Sequence, residues 1–168
     1  MSLAATLKSQ YYASLAMLRE AIDTCPAELW NSDRYVNPFW HVAYHTLFYT
    51  HLYLQPAEAD FVPWERHREG HNRFATGPDE GLILTPYSVE EVQSYWKHCQ
   101  DMVESAVDRL DLTSSESGFY WYRMSKLEHQ FVNLRHIQHH TGQLADRLRQ
   151  DADRGVEWVG GMAKPAGS

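Results

Sequence analysis

Two histidines four residues apart, His136 and His140, carry the strongest chemical signal in the chain. On a helix that spacing puts both side chains on one face, with Cβ atoms about 5–6 Å apart. Both imidazoles can then turn onto a single ion, because zinc–nitrogen bonds are about 2.0–2.1 Å. The spacing recurs in zinc metalloproteases, but those place a glutamate directly after the first histidine. Ile137 stands there instead, which excludes that class. A plainer explanation stays open. At about 100° per residue the apolar side of this helix centres near Leu127 and Leu134. The two histidines fall beside His129, Gln143 and Arg147, as they would on an ordinary solvated face.

A third histidine bears on the choice. His45 sits among Val42, Tyr49 and Leu52 in a segment, Phe39 to Tyr49, that is apolar or aromatic on every side. A buried imidazole needs partners for both nitrogens. His45 is therefore either a core histidine bonded to a tyrosine or carbonyl, or a third ligand. His41, one turn earlier, meets the same spacing. His139 is turned about 100° from His140 and faces elsewhere. Ligating histidines must be neutral, so with a reference pKa of about 6.5 metal binding is expected to weaken below about pH 6.

Four helices must position these residues. The stripe Leu3, Leu7, Tyr11, Leu15, Leu18 and Ile22 predicts a helix over 3–23, stopped by Cys25-Pro26. Pro38 opens a second over 38–54. Its apolar circumference places it centrally, or against another subunit. Ser88-Val89-Glu90-Glu91 and Ser125-Lys126-Leu127-Glu128 read as capping boxes for helices over 88–110 and 125–149. The core face of the last is expected at Leu127, Phe131, Leu134, Ile137, Leu144 and Leu148. Residues 56–87 are broken by Pro56, Pro63, Gly70, Gly77, Pro78, Gly81 and Pro86. They read as a long crossover with one short helical turn, and loops of that length are usually functional or disordered. The expected fold is all-α, a four-helix bundle over 1–154 with the crossover between its second and third helices. A loose glycine-rich tail follows over 155–168, with Trp158 as its anchor.

Composition narrows the function. The chain has 168 residues, 43% of them hydrophobic and 13% aromatic, enough for one domain with a ring-rich core. Its net charge of −7 opposes binding to nucleic acid or to an anionic membrane surface, and no basic cluster offsets it. No run approaches the roughly 18 apolar residues of a membrane span. No export signal is evident, which points to the cytoplasm. Cys25 and Cys99 fit neither a metal spacing nor a disulfide framework and read as ordinary buried thiols.

The stretch from Leu127 to Leu144, with its His136-x-x-x-His140-x-Gly142-Gln143-Leu144 core, resembles the last-helix signature of DinB-like proteins. His45-Thr46-Leu47-Phe48-Tyr49 is similar to that family's second-helix histidine and its aromatic–aliphatic run. The resemblance spans about nine-tenths of the chain. It implies a four-helix bundle, commonly a homodimer, and one divalent metal ion held by His45, His136 and His140. Three protein ligands leave a position open for water or substrate, unlike closed structural sites. Imidazoles suit several metals, zinc or nickel first and iron or manganese after them. Some DinB-like relatives are thiol-dependent transferases or isomerases and a few are hydrolases. The implied function is thus metal activation of a low-molecular-weight thiol or of water, acting on a small-molecule substrate. The alternative is a non-catalytic metal or ligand sensor on the same bundle. A di-iron carboxylate bundle is disfavoured, since the Glu-x-x-His motifs it needs are absent from the second and fourth helices. Trp40, Tyr44 and Phe48 are expected to line the site. Asn133 and Gln143 are candidates to support the ligands, and Glu65 or Glu69 could serve as a general base.

Overall fold

A computed structural model describes residues 2–76 and 84–165; Gly77, Pro78 and Gly81 of the crossover lie outside the described residues. Among those residues there is no strand. Four long helices appear where periodicity placed them: α1 over Leu3–Thr24, α3 over Phe39–Tyr53, α4 over Val89–Arg109 and α5 over Lys126–Ala152. A short α2, Ala27–Trp30, follows Pro26, and a single 3-10 turn, Glu58–Asp60, supplies the helical turn expected in the crossover. α1 packs on α4 and α5, and α3 packs on the same two helices.

Local chemistry explains the boundaries. Ser2 Oγ accepts from Ala5 N (3.2 Å) to cap α1. Ser88 and Glu91 form the reciprocal capping box of α4, with Ser88 N donating to Glu91 Oε2 (2.8 Å) and Glu91 N to Ser88 Oγ (3.2 Å). Ser125 Oγ accepts from Glu128 N (3.2 Å) at the start of α5. That helix outruns its expected end and stops where Asp153 adopts left-handed geometry, φ 51°.

Every residue of α3 is buried except His45 and Tyr49. α4 and α5 cover two sides. The crossover covers the rest: Phe61 stacks edge-on against Phe48 (5.2 Å), Phe74 lies flat on His45 (3.8 Å) and Tyr87 lies flat on Tyr44 (4.5 Å). The apolar circumference of α3 is thus covered within the chain. Thr46 and Thr50 hide their hydroxyls by donating to the carbonyls of Val42 and Thr46, each at 2.7 Å.

α5 departs from its expected core face. Ile137, Leu144 and Leu148 are buried as anticipated, but Leu127 and Leu134 are only partly covered and Phe131 is 51% exposed. In the first half of the helix the buried side is polar: Lys126, His129, Gln130 and Asn133. Lys126 Nζ donates to the carbonyls of Pro56 (2.6 Å) and Ser117. Gln130 accepts from Tyr11 Oη (2.8 Å) and donates to Tyr53 O (3.1 Å), and Asn133 Nδ2 donates to Thr50 O (3.3 Å). Buried amides and ammonium groups are tolerated when bonded in this way, so the helix rotates its leucines outward.

The described tail lies along α1. Gln10 donates to Gly160 O (3.0 Å) and Met162 N to Ser9 Oγ (3.2 Å). Val156 and Met162 are its packing residues, whereas Trp158, the expected anchor, is 77% exposed. Cys25 and Cys99 are free thiols, half-buried and buried. No helix among the described residues is long and apolar enough to cross a membrane.

Gly118, in the connection between α4 and α5, has φ +84°, and its carbonyl accepts from Glu58 N (3.1 Å). A Cβ there would collide with Pro56 O and meet Ala57 Cα at 3.0 Å. Gly118→Ala should therefore lower stability by roughly 1–3 kcal/mol. Gly142 sits mid-helix with nothing within 4 Å of an added Cβ. Gly142→Ala should raise stability by about 0.8–1.0 kcal/mol. Urea denaturation midpoints read both, with opposite signs expected.

Candidate metal centre

His136 and His140 project from the middle of α5, and His45 comes to meet them from α3. His45 Nε2 lies 3.2 Å and His140 Nε2 3.1 Å from His136 Nε2. One ring nitrogen of each lies within 4.8 Å of the others. Two nitrogens bound tetrahedrally at zinc distances would be roughly 3.3 Å apart, close to both separations.

The outer nitrogens decide the electronic state. His45 Nδ1 is 2.8 Å from Asn72 O. A carbonyl only accepts, so Nδ1 carries the proton and Nε2 presents a lone pair. His140 Nδ1 is 2.8 Å from Gln143 Oε1, which sets the same tautomer. Two lone pairs therefore point at His136 Nε2, which has at most one proton to share between them. Such convergence is unfavourable between neutral rings and favourable around a cation. His136 Nδ1 is buried without a partner, and so is Asn133 Oδ1, one turn earlier on α5.

Burial pushes the pKa of His45 and of His136 down to about 3, with the neighbouring imidazoles adding to the effect. Burial likewise lowers that of His140. The rings are thus neutral and able to ligate at pH 7. Burial shifts the proton competition expected from about pH 6 to lower pH.

The remaining histidines separate from the group. His41 is buried and stacked on Trp40 (5.0 Å), with its Nε2 unpartnered, and does not join the three. His139 is exposed. His129, which the wheel put on a solvated face, is 0% exposed. It is boxed by Tyr53, Phe119 and Tyr122 at 4.7–5.2 Å, and both its nitrogens lack partners.

A cavity of about 770 Å³ opens beside the group, with His45 and His136 in its wall. Of the expected lining residues only Phe48 reaches it. Trp40 and Tyr44 are buried in the core, and Tyr49 and Tyr53 take their place. These follow His45 at helical intervals, a signal present in the spacing. Glu65 and Glu69 are exposed, do not line the cavity, and Glu65 faces Arg66 (3.7 Å). The one carboxylate in the lining is Glu58. Asn72, Arg73 and Phe74 also come from the crossover, and nothing in their local sequence marks them.

The family model of the DinB superfamily matches residues 10–144, a span that contains all three histidines. No curated protein and no solved structure matches the chain.

Burial also pushes His41 and His129 down to about 4. Unfolded, each titrates near 6.5. The stability they contribute is complete above pH 6.5 and is lost as pH falls from there towards about 4, because the unfolded chain then binds protons the folded one refuses. The limiting slope is about 1.4 kcal/mol per pH unit per histidine. Thermal melts of metal-free protein should show Tm falling from pH 7 to pH 5, with a shallower fall for His129→Leu. An unchanged slope in that variant would mean that His129 is hydrated in solution.

Proposed function

The chain belongs to the DinB superfamily, and on that premise we propose that His45, His136 and His140 hold one divalent metal ion, zinc or nickel before iron or manganese, in a four-helix bundle that works as a thiol- or water-activating transferase or hydrolase. The observation that supports this most is the set of tautomers fixed by Asn72 O and Gln143 Oε1, which aims two lone pairs at the third ring. A metal bound there lowers the pKa of a thiol or water placed on it.

This chain's own residues supply the rest. Asn72 and Gln143 orient His45 and His140. Phe74, flat on His45, shields that ligand on one ring face. The cavity delivers a small molecule to the side of the group formed by His45 and His136, where no fourth histidine, cysteine or carboxylate joins the three among the described residues. A low-molecular-weight thiol entering there needs no buried general base, since its proton can pass to bulk water through the open mouth.

Elemental analysis of the purified protein should find one metal per chain. His136→Ala and His140→Ala should each abolish stoichiometric binding, while His139→Ala and His41→Ala keep it. Gln143→Ala should weaken affinity about 10–100-fold. Retention of full occupancy in His140→Ala would overturn the ligand set. Turnover of a thiol with an electrophile, or hydrolysis of an activated ester or amide, should follow metal loading. Stoichiometric metal with neither reaction would assign the site to metal or ligand sensing.

A further inference from the structure

The cavity beside the histidines is walled mainly by rings. Phe48, Tyr49 and Tyr53 come from α3, Phe61 from just after the 3-10 turn, and Trp121 and Tyr122 from the connection between α4 and α5. Phe48 meets Phe61 at 5.2 Å, Tyr49 meets Tyr53 at 5.4 Å and Tyr53 meets Tyr122 at 5.6 Å, separations at which aromatic pairs attract. At the rim Tyr120 is 80% exposed and Trp121 39% exposed, their rings edge to face at 4.7 Å. Rings this open to water contribute little to the core. Their apolar faces instead border a space of about 770 Å³, within the roughly 300–1,000 Å³ of sites for small organic ligands.

Charge adds direction. Besides histidine and tyrosine, the ionisable groups in the lining are Arg73 and Glu58. Both are exposed, and neither makes an ion pair among the described residues. Arg73 directly follows Asn72, whose carbonyl holds His45, and lines the same cavity as His45 and His136. A divalent ion on three neutral imidazoles would add two positive charges there. The cavity is then locally positive within a chain of net charge −7. Guanidinium presents a planar fork that matches a carboxylate, while Glu58 opposes a second anionic group on the same ligand.

We infer that the organic substrate of this site is an aromatic monocarboxylate, its ring stacked in the cage of Tyr49, Tyr53 and Trp121 and its carboxylate on Arg73. The assignment deepens the metal-dependent reading above and rests on it for the chemistry. The binding itself resides in residues that do not ligate the ion.

Isothermal titration with 2-naphthoate, 2-naphthalenemethanol and hexanoate tests it, on zinc-loaded and on chelator-treated protein. Naphthoate should bind most tightly. Arg73→Met should weaken naphthoate about tenfold, the worth of one charged hydrogen-bonded contact, and leave the neutral alcohol unchanged. Trp121→Ala should weaken both aromatic probes. Circular dichroism checks that the variants, all on exposed positions, stay folded. Hexanoate binding as tightly as naphthoate, or Arg73→Met leaving naphthoate affinity intact, would overturn the inference. So would naphthoate binding that vanishes when the metal is stripped, because the carboxylate would then lie on the ion. Metal counting on the same samples separates the two readings. Naphthoate bound through Arg73 in a protein that takes up no metal sinks the metal reading alone. Stoichiometric metal without naphthoate binding sinks this one alone.

Discussion

The alignment of α5 on α3 is the constraint from which the site follows. Gln130 and Asn133 reach across that interface to the carbonyls of Tyr53 and Thr50. Both carbonyls lie in the last turn of α3; Thr50 O also accepts from Leu54 N (3.2 Å), which leaves it a second lone pair for Asn133. A leucine seam could slide by part of a turn at small cost. An amide bonded to one particular carbonyl resists that slide, because a shifted helix would leave the buried amide donors of Gln130 and Asn133 unpaired, at about 1–3 kcal/mol each. With this register held, the chain from Thr50 back to His45 and from Asn133 on to His136 brings the imidazoles within reach of one another. The group is assembled by amide bonds made one to two turns away from it.

The same polar seam accounts for what the sequence conveyed and what it concealed. The four long helices were legible to within a residue or two at most ends, since serine caps and apolar stripes are local signals. The facing of α5 was not. Lys126, His129, Gln130 and Asn133 are residue types that usually face water, so a hydrophobic wheel turned the first half of the helix the wrong way. The three histidines could be proposed from helical spacing and family resemblance. Gln143 was within reach as the residue three places after a ligand. Asn72, Arg73 and Phe74 were beyond reach, because their contacts with His45 and the cavity close a loop of about thirty residues with no periodic pattern. The four-residue α2 was missed for a related reason: one turn is too short to display a period.

Burial acts twice on the histidines. It keeps His45 and His136 neutral well below the ordinary imidazole range. It also makes acid a threat to the fold, because each buried neutral imidazole resists a proton that the unfolded chain accepts. His41 and His129 have no role in the group, yet both are buried, packed against aromatic rings and short of hydrogen-bond partners. They tie the integrity of the core to the neutrality of its buried histidines.

α3 leaves only His45 and Tyr49 incompletely buried, and this divides the molecule into parts of unequal freedom. Any change of size on that helix disturbs α4, α5 or the crossover at once. The cavity's outer wall, Glu58, Arg73, Tyr120 and Trp121, is carried on the single 3-10 turn and on irregular chain, with side chains that face solvent. The lining of the cavity can therefore vary through those segments while the histidine group stays where it is. Proteins built on this plan should diverge at the cavity rim sooner than around the three histidines.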